Sequence, residues 1–330
     1  MFWHSYGTGR TVRTRPLGST GVQVSAVCLG TATFGVAPDE TETTRLVRRA
    51  LDAGINFIDT ASSYGNQPRF DRPGVPAANV RRAAEELVGA AVHGHRDDVV
   101  LATKVGEPVG LRSTDRGLSR VHITRQLDES LRRLRTDRVD ILHAHHYDPD
   151  TPVEESIAAF DDLVRQGKIL YWAISDHRGW QAAEVAFTAR ALHRSGPACH
   201  QLRYNLRDRS ADADNVPLAA RLGMTFTVFS PLAGGLLAGR AAAQRPLAGP
   251  LRFGHATGWS ADDLHFAERV EATAQRYGHS SIEAAIGWLL AKPFVTSVIV
   301  GPETVDELAG IVEASEAVLD AELVDQLDGL

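Results

Sequence analysis

Asn56-Phe57-Ile58-Asp59-Thr60-Ala61-Ser62-Ser63-Tyr64-Gly65 joins an apolar run to a carboxylate and, five positions on, to a phenol. An apolar run that ends in Asp, followed by small residues and a Tyr before Gly, reads as a buried strand. Such a strand delivers two ionisable side chains to the loop at its carboxyl end. Parallel α/β folds build their reactive sites at that end. Taken alone, the stretch would equally suit an Asp that begins a turn and a Tyr that packs. The rest of the chain decides between the two.

The same pattern recurs on both sides of it. Apolar runs at 26–30, 55–59, 99–104, 139–145, 169–175, 199–201, 224–229 and 296–301 read as core strands. Between them, segments with helical periodicity fall at 40–53, 80–92, 123–134, 153–165, 180–193, 217–222 and 262–291. Eight nearly continuous apolar strands alternating with helices predict a closed (β/α)8 TIM barrel with its helices outside. An open doubly wound sheet would instead carry Gly-x-Gly-x-x-Gly after its first strand, and that motif is missing. Alternation in Val22-Gln23-Val24-Ser25 after Gly18-Ser19-Thr20-Gly21 adds a small N-terminal β-hairpin. Polar, Arg-containing residues 1–14 read as a tail, which leaves 15–330 as one barrel domain with accessory helices.

Composition narrows the class. The 330 residues are 43% hydrophobic and carry a net charge of -6, so nothing draws the whole chain to nucleic acid or to an anionic membrane. No run reaches the ~20 apolar residues of a membrane span, and the amino terminus lacks a secretory pattern. Two cysteines, Cys28 and Cys199, are too few for a disulfide framework and fit a reducing cytoplasm.

Polar residues then fall at the strand ends that a barrel would bring to one mouth. They are Asp59 and Tyr64 after the second strand, Lys104 ending the third, His145 ending the fourth, Ser175 and Asp176 at the fifth and Gln201 at the sixth. A lysine at the end of an apolar strand is ordinarily a solvated edge residue, but a carboxylate, a phenol and an imidazole on neighbouring strand ends favour acid catalysis on a carbonyl. Tyr is a poor proton donor at its ordinary pKa of about 10, and a nearby ammonium is expected to lower that value. Asp59 would hold Lys104, and His145 would orient or assist the proton of Tyr64. The small, polar end of the first strand, Gly30-Thr31-Ala32-Thr33, permits close approach of a ligand. A competing reading makes His143, His145 and His146 a metal site, since residues 143 and 145 share a strand face, but further ligands are not evident. Trp172 reads as core. The run Arg132-Arg133-Leu134-Arg135 reads as the solvated end of a helix.

With these residues on the page, the sequence resembles the aldo-keto reductase superfamily over roughly residues 15–328. The pattern of Asp then Tyr five later, with Lys and His, appears as Asp59, Tyr64, Lys104 and His145. Further agreement lies in Leu29-Gly30-Thr31, Leu51-Asp52-Ala53-Gly54, Gly167-Lys168-Ile169, Ser230-Pro231-Leu232-Ala233-Gly234-Gly235 and Ser297-Val298-Ile299-Val300-Gly301. Few residues follow the last predicted helix, so the long carboxyl-terminal loop of many members is expected to be absent; the microbial and potassium-channel β-subunit branch is the closer likeness.

The resemblance implies an NAD(P)H-dependent reductase acting on a small carbonyl or alcohol substrate without metal, as a monomer or homo-oligomer. It implies cofactor contacts at Gly30, Thr31, Ser175, Asp176, Gln201, Phe229, Ser230, Leu232, Gly234, Gly301 and Glu307, with the nicotinamide ring on Phe229. One departure stands out, for Asp176 occupies the position of the family's Asn. A carboxylate accepts hydrogen bonds but donates none, so Asp176→Asn is expected to tighten cofactor binding. NADPH is the family default. Glu303 and Glu307, near the expected 2′-phosphate site, argue instead for NAD(H), unless Arg240 or Arg245 supplies the missing charge; acids in a first helical turn are also favoured by the dipole alone. Residues 66–79, with Arg69 and Arg72, form a long loop suited to an anionic substrate group, and 238–260 a lid over the cofactor. A nucleotide-sensing partner subunit with slow turnover is the alternative function.

Overall fold

A computed structural model describes residues 12–71, 74–240 and 258–330. Ten strands run in chain order: β1 (Thr14–Pro16), β2 (Gln23–Ser25), β3 (Val27–Gly30), β4 (Phe57–Asp59), β5 (Val100–Val105), β6 (Val139–Ala144), β7 (Ile169–Ser175), β8 (His200–Arg203), β9 (Phe226–Phe229) and β10 (Val295–Val300). The last eight form a closed barrel in which each strand pairs in parallel with the next and β10 pairs with β3. This is the expected (β/α)8 barrel. Closure follows from composition: strands such as Val27–Gly30 and Val295–Val300 are buried throughout, as a sheet covered on both faces requires.

The strands β1 and β2 pair antiparallel and make the expected hairpin. Its Leu17 and Val24 are fully buried and join Cys28, Phe57, Ala102, Ile141, Ala173 and Cys199 in one apolar cluster, so the hairpin seals the amino-terminal end of the barrel. Thr14 already belongs to β1, Val12 is buried, and the Val12 amide donates to the Ala53 carbonyl, so the tail is shorter than residues 1–14; residues 1–11 lie outside the description.

The outer helices begin where the caps dictate. Asp39 accepts from the Glu42 amide at the start of Glu40–Asp52, whose Leu46, Val47 and Ala50 face the sheet. The expected helix over 262–291 is two helices, Ala261–Arg276 and Ser281–Ala291. Gly278 adopts a left-handed φ of 77° between them, and Ser280 caps the second with Glu283 closing the box. The segment at 80–92 becomes helical only from Ala84, with Val80 exposed. Trp172 is core, stacked on Phe160 with its indole N–H donating to the Ser195 carbonyl. Arg133 departs from the solvated reading: it reaches inward to the buried Glu85 and the Ser62 carbonyl. No helix among the described residues is long and apolar enough to cross a membrane.

Candidate active site

Strand periodicity builds the site. Side chains two residues apart share a face, so the inward face that carries Phe57 next carries Asp59, and Ala102 is followed by Lys104. Likewise Ala173 is followed by Ser175, and Cys199 by Gln201. The apolar layer above the hairpin therefore gives way, one step up each of these four strands, to a layer of polar groups. Register aligns them: Gly30 pairs with Asp59, Asp59 with Ala102 and Ser175 with Gln201.

Lys104, 1% exposed, donates from Nζ to Asp59 Oδ2 and to the Thr60 carbonyl at 3.1 Å. The other oxygen of Asp59 accepts from Gln201 Nε2 at 2.9 Å, so both carboxylate oxygens are engaged. The ammonium lies 4.8 Å from the centroid of the Tyr64 ring, and the Tyr64 and His145 rings meet edge to face at 5.7 Å. Gly65 makes this possible. Its φ is 84°, and a Cβ there would come within 2.8 Å of both the Ala84 amide nitrogen and the Phe34 carbonyl, so only glycine lets the chain turn behind Tyr64.

The electrostatics differ from the sequence expectation in one respect. Burial opposes the charge on Lys104, yet Asp59 and Tyr64 outweigh it and hold the ammonium above its ordinary pKa. Burial raises the Tyr64 phenol, and although Lys104 pulls the other way, Asp59 adds to the rise; the phenol ends above its ordinary value, not below it. The reason is physical: burial, which disfavours the phenolate, outweighs the pull of the ammonium, and the carboxylate that grips Lys104 offsets part of that pull. Burial, with Lys104 and then His146, holds the His145 imidazole well below its ordinary value and hence neutral. Its Nδ1 is buried without a protein hydrogen-bond partner.

The His143, His145 and His146 trio of the competing metal reading is not assembled. His143 lies fully buried with its pKa lowered to about 4 by burial, and the mouth cluster is instead Glu107, His145 and His146. His146 Nε2 sits 2.7 Å from Glu107, and the Arg69 guanidinium lies 3.0 Å from the same carboxylate. The protein's own cations thus occupy the oxygens a metal would need. Arg69 also donates to the Ser63 carbonyl and hydroxyl, so it is engaged rather than held open for an anionic substrate; Arg72 lies outside the described residues.

A cleft of about 1500 Å³ opens over these groups. Asp59, Tyr64 and His145 stand at one end, with Gly30, Thr31, Ser175, Asp176 and Gln201 around them. Its wall runs past Phe229, Ser230, Leu232 and Gly234 to Gly301, Glu303 and Glu307. Lys104 lies beneath this lining. Gly30 also serves the barrel seam, since a Cβ there would come within 2.8 Å of Ile299 Cγ2, and the Thr31 hydroxyl donates to the Asp59 carbonyl. Asp176 has a left-handed φ of 52°, a conformation that Asn and Asp tolerate best. At the far end Glu307 Oε2 accepts from the Glu303 amide at 2.8 Å, so that carboxylate also serves the helix start. Arg240 pairs with Glu268 at 3.3 Å; Arg245, with Arg252, Phe253 and His255 of the proposed lid, lies outside the described residues.

Two charged residues to which sequence reading assigned no role are Arg203, in the cleft wall, and Glu107, paired with His146 and Arg69. Glu107 follows β5 as Arg203 ends β8, and position relative to a strand end was the available signal.

The comparisons agree with this geometry. The chain is 36% identical to the uncharacterized oxidoreductase YrpG of Bacillus subtilis (strain 168), covering 95% of this chain and 94% of that one. It is 32% identical to a probable voltage-gated potassium channel subunit beta of Oryza sativa subsp. japonica, covering 95% of each. A putative subunit of the same kind from Schizosaccharomyces pombe is 31% identical over 97% of this chain and 93% of that one. A family model described as the aldo/keto reductase family matches residues 26–330, and the chain belongs to that family.

Proposed function

We propose that the protein reduces an aldehyde or ketone to an alcohol, with Tyr64 as the proton donor. The observation that carries the reading is the convergence of Lys104, Asp59, Tyr64 and a neutral His145 at one end of a long cleft. A bound reduced nicotinamide supplies the hydride. The residues fit it: the cleft is long, Ser175, Asp176 and Gln201 offer polar groups at the reactive end, and Phe229 offers a ring face. Tyr64 gives its proton to the carbonyl oxygen as charge develops there, and its high pKa keeps it protonated until that moment. Lys104, held by Asp59, stabilises the phenolate left behind. His145 presents a neutral ring nitrogen to the same oxygen and orients it.

NAD(H) is favoured over NADP(H), because Glu303, Asp306 and Glu307 line the adenosine end, where a 2′-phosphate would meet like charge. Buried, free Cys28 and Cys199 fit a cytoplasmic setting. Tyr64→Phe tests the chemistry: the chemical step should fall ~100-fold or more while cofactor affinity, followed by nicotinamide fluorescence, stays the same. An unchanged rate would show that another group donates. The names of the plant and yeast relatives support a second reading, a nucleotide-sensing subunit. Firm nicotinamide binding with negligible turnover across a panel of carbonyls and sugars would favour it.

A further inference from the structure

His146 stands between two acids from two different strand ends. Its Nε2 lies 2.7 Å from Glu107 Oε1, beyond β5, and its Nδ1 lies 3.8 Å from Asp176 Oδ2, beyond β7. A neutral imidazole can hydrogen-bond Glu107 but brings no charge to Asp176; the cation serves both, by a hydrogen bond to Glu107 and by charge across the longer gap to Asp176. The ring also lies flat on that of His145, with centroids 4.7 Å apart and planes 5° off parallel. On the far side Glu107 meets Arg69, the residue of the long loop that binds Ser63 next to Tyr64. A continuous chain of charge therefore runs from Asp176 through His146, Glu107 and Arg69 to the segment carrying the phenol. Arg203 at the end of β8 and Lys104 beneath also act on Asp176, and Lys104 and Arg69 act on His145.

We propose that His146 is a positioning residue of the cofactor site: as an imidazolium it holds the Asp176 carboxylate, so that a side chain able only to accept can serve where an amide would both accept and donate. The inference rests on the reading of Asp176 as a carboxamide contact. It explains why an acid is tolerated at this position, since the chain carries its own counter-charge one strand away. With His146 charged, Asp176 Oδ2 faces a cation, and the carboxylate, which also takes a backbone hydrogen bond from Arg203, keeps lone pairs to accept from the carboxamide N–H. With His146 neutral, Asp176 loses the largest of the charges that favour it and keeps only the more weakly acting Arg203 and Lys104.

The sign follows from the environment of the ring. The Glu107 hydrogen bond raises the pKa of His146 against its burial, and Asp176 adds to the rise, so the ring keeps its charge to higher pH than a free imidazole and loses it as pH increases further. Cofactor affinity should therefore weaken with rising pH.

Nicotinamide binding by fluorescence from about pH 6 to about pH 9, in wild type, His146→Gln, Asp176→Asn and the double variant, tests this. Wild type should lose affinity about fivefold over that range. His146→Gln should show the weaker affinity at every pH, Asp176→Asn the tighter one at every pH, and His146→Gln should cost nothing further in the Asp176→Asn background. The His146 imidazole resonance, followed by NMR without cofactor, should titrate at lower pH in Asp176→Asn. Affinity independent of pH in wild type, an unmoved titration, or an equal loss from His146→Gln in both backgrounds would overturn the proposal. Failure of wild type to bind either nicotinamide at any pH would overturn the oxidoreductase reading and this inference with it, whereas firm binding without pH dependence would overturn this inference alone.

Discussion

Two layers of side chains fill the barrel, one step apart along each strand, and they are held by opposite means. In the lower layer Leu17, Val24, Phe57 and Ile141 meet as hydrocarbon, excluded from water by shape alone. In the upper layer Asp59, Lys104 and Gln201 are as deeply buried, but each is retained by a partner of matching charge or hydrogen-bonding sense. The lower layer can lose a methyl group and keep its identity, at the cost of a cavity. The upper layer cannot lose a member without stranding another, because a charge in that environment is tolerable only when paired.

Lys104→Met breaks the contrast most severely. It leaves Asp59 buried and uncompensated, and should cost about 3–5 kcal/mol of stability together with nearly all turnover, measured by denaturant unfolding and by the rate of carbonyl reduction. Leu17→Ala, in the lower layer, should cost about 2–5 kcal/mol while the protein that remains folded turns over within a few-fold of wild type. If both variants lose stability and rate in the same proportion, the layers are not functionally distinct.

The pH profile sharpens the upper layer further. On the proposed mechanism the phenol must be protonated, and Tyr64 lies above its ordinary value, so the turnover rate constant should hold level through neutral pH and fall only above about pH 10. A fall centred near pH 8 would show that the ammonium dominates the phenol after all. The smallest effect belongs to the cleft rim. Glu303→Gln removes one like charge from the adenosine end and should improve affinity for NADPH relative to NADH by about fivefold, the equivalent of ~1 kcal/mol across solvent.

The layers also mark what was legible in the sequence. The barrel strands are nearly continuous apolar runs with a polar residue at several of their ends, and the hairpin alternates, so the eight strands, the hairpin and the polar strand ends could all be read from residue order. Asp59 and Tyr64, five apart, announced themselves locally, and Lys104 stood out as a cation ending an apolar run. Balance was not legible. The direction of the Tyr64 shift depends on whether burial of the phenol outweighs the pull of Lys104, itself partly offset by Asp59, and neither depth nor distance can be read from residue order. Glu107 was missed because an acid after Gly106 looks like any exposed loop residue, and its meaning comes only from His146 and Arg69 arriving from other segments. The break at Tyr277–Ser280 was hidden because helical composition continues on both sides of a single Gly.

The seam at Gly30 carries one more consequence. Strands β3 and β10, which close the ring, come from opposite ends of the chain and meet so tightly that no Cβ fits between them. A nascent polypeptide still on the ribosome can stack its early strand and helix units but has nothing to complete the circle until the last strand emerges. Such a long-range final contact slows the cooperative step. It also makes the partly synthesised chain, with two open sheet edges, the species most in need of protection from self-association.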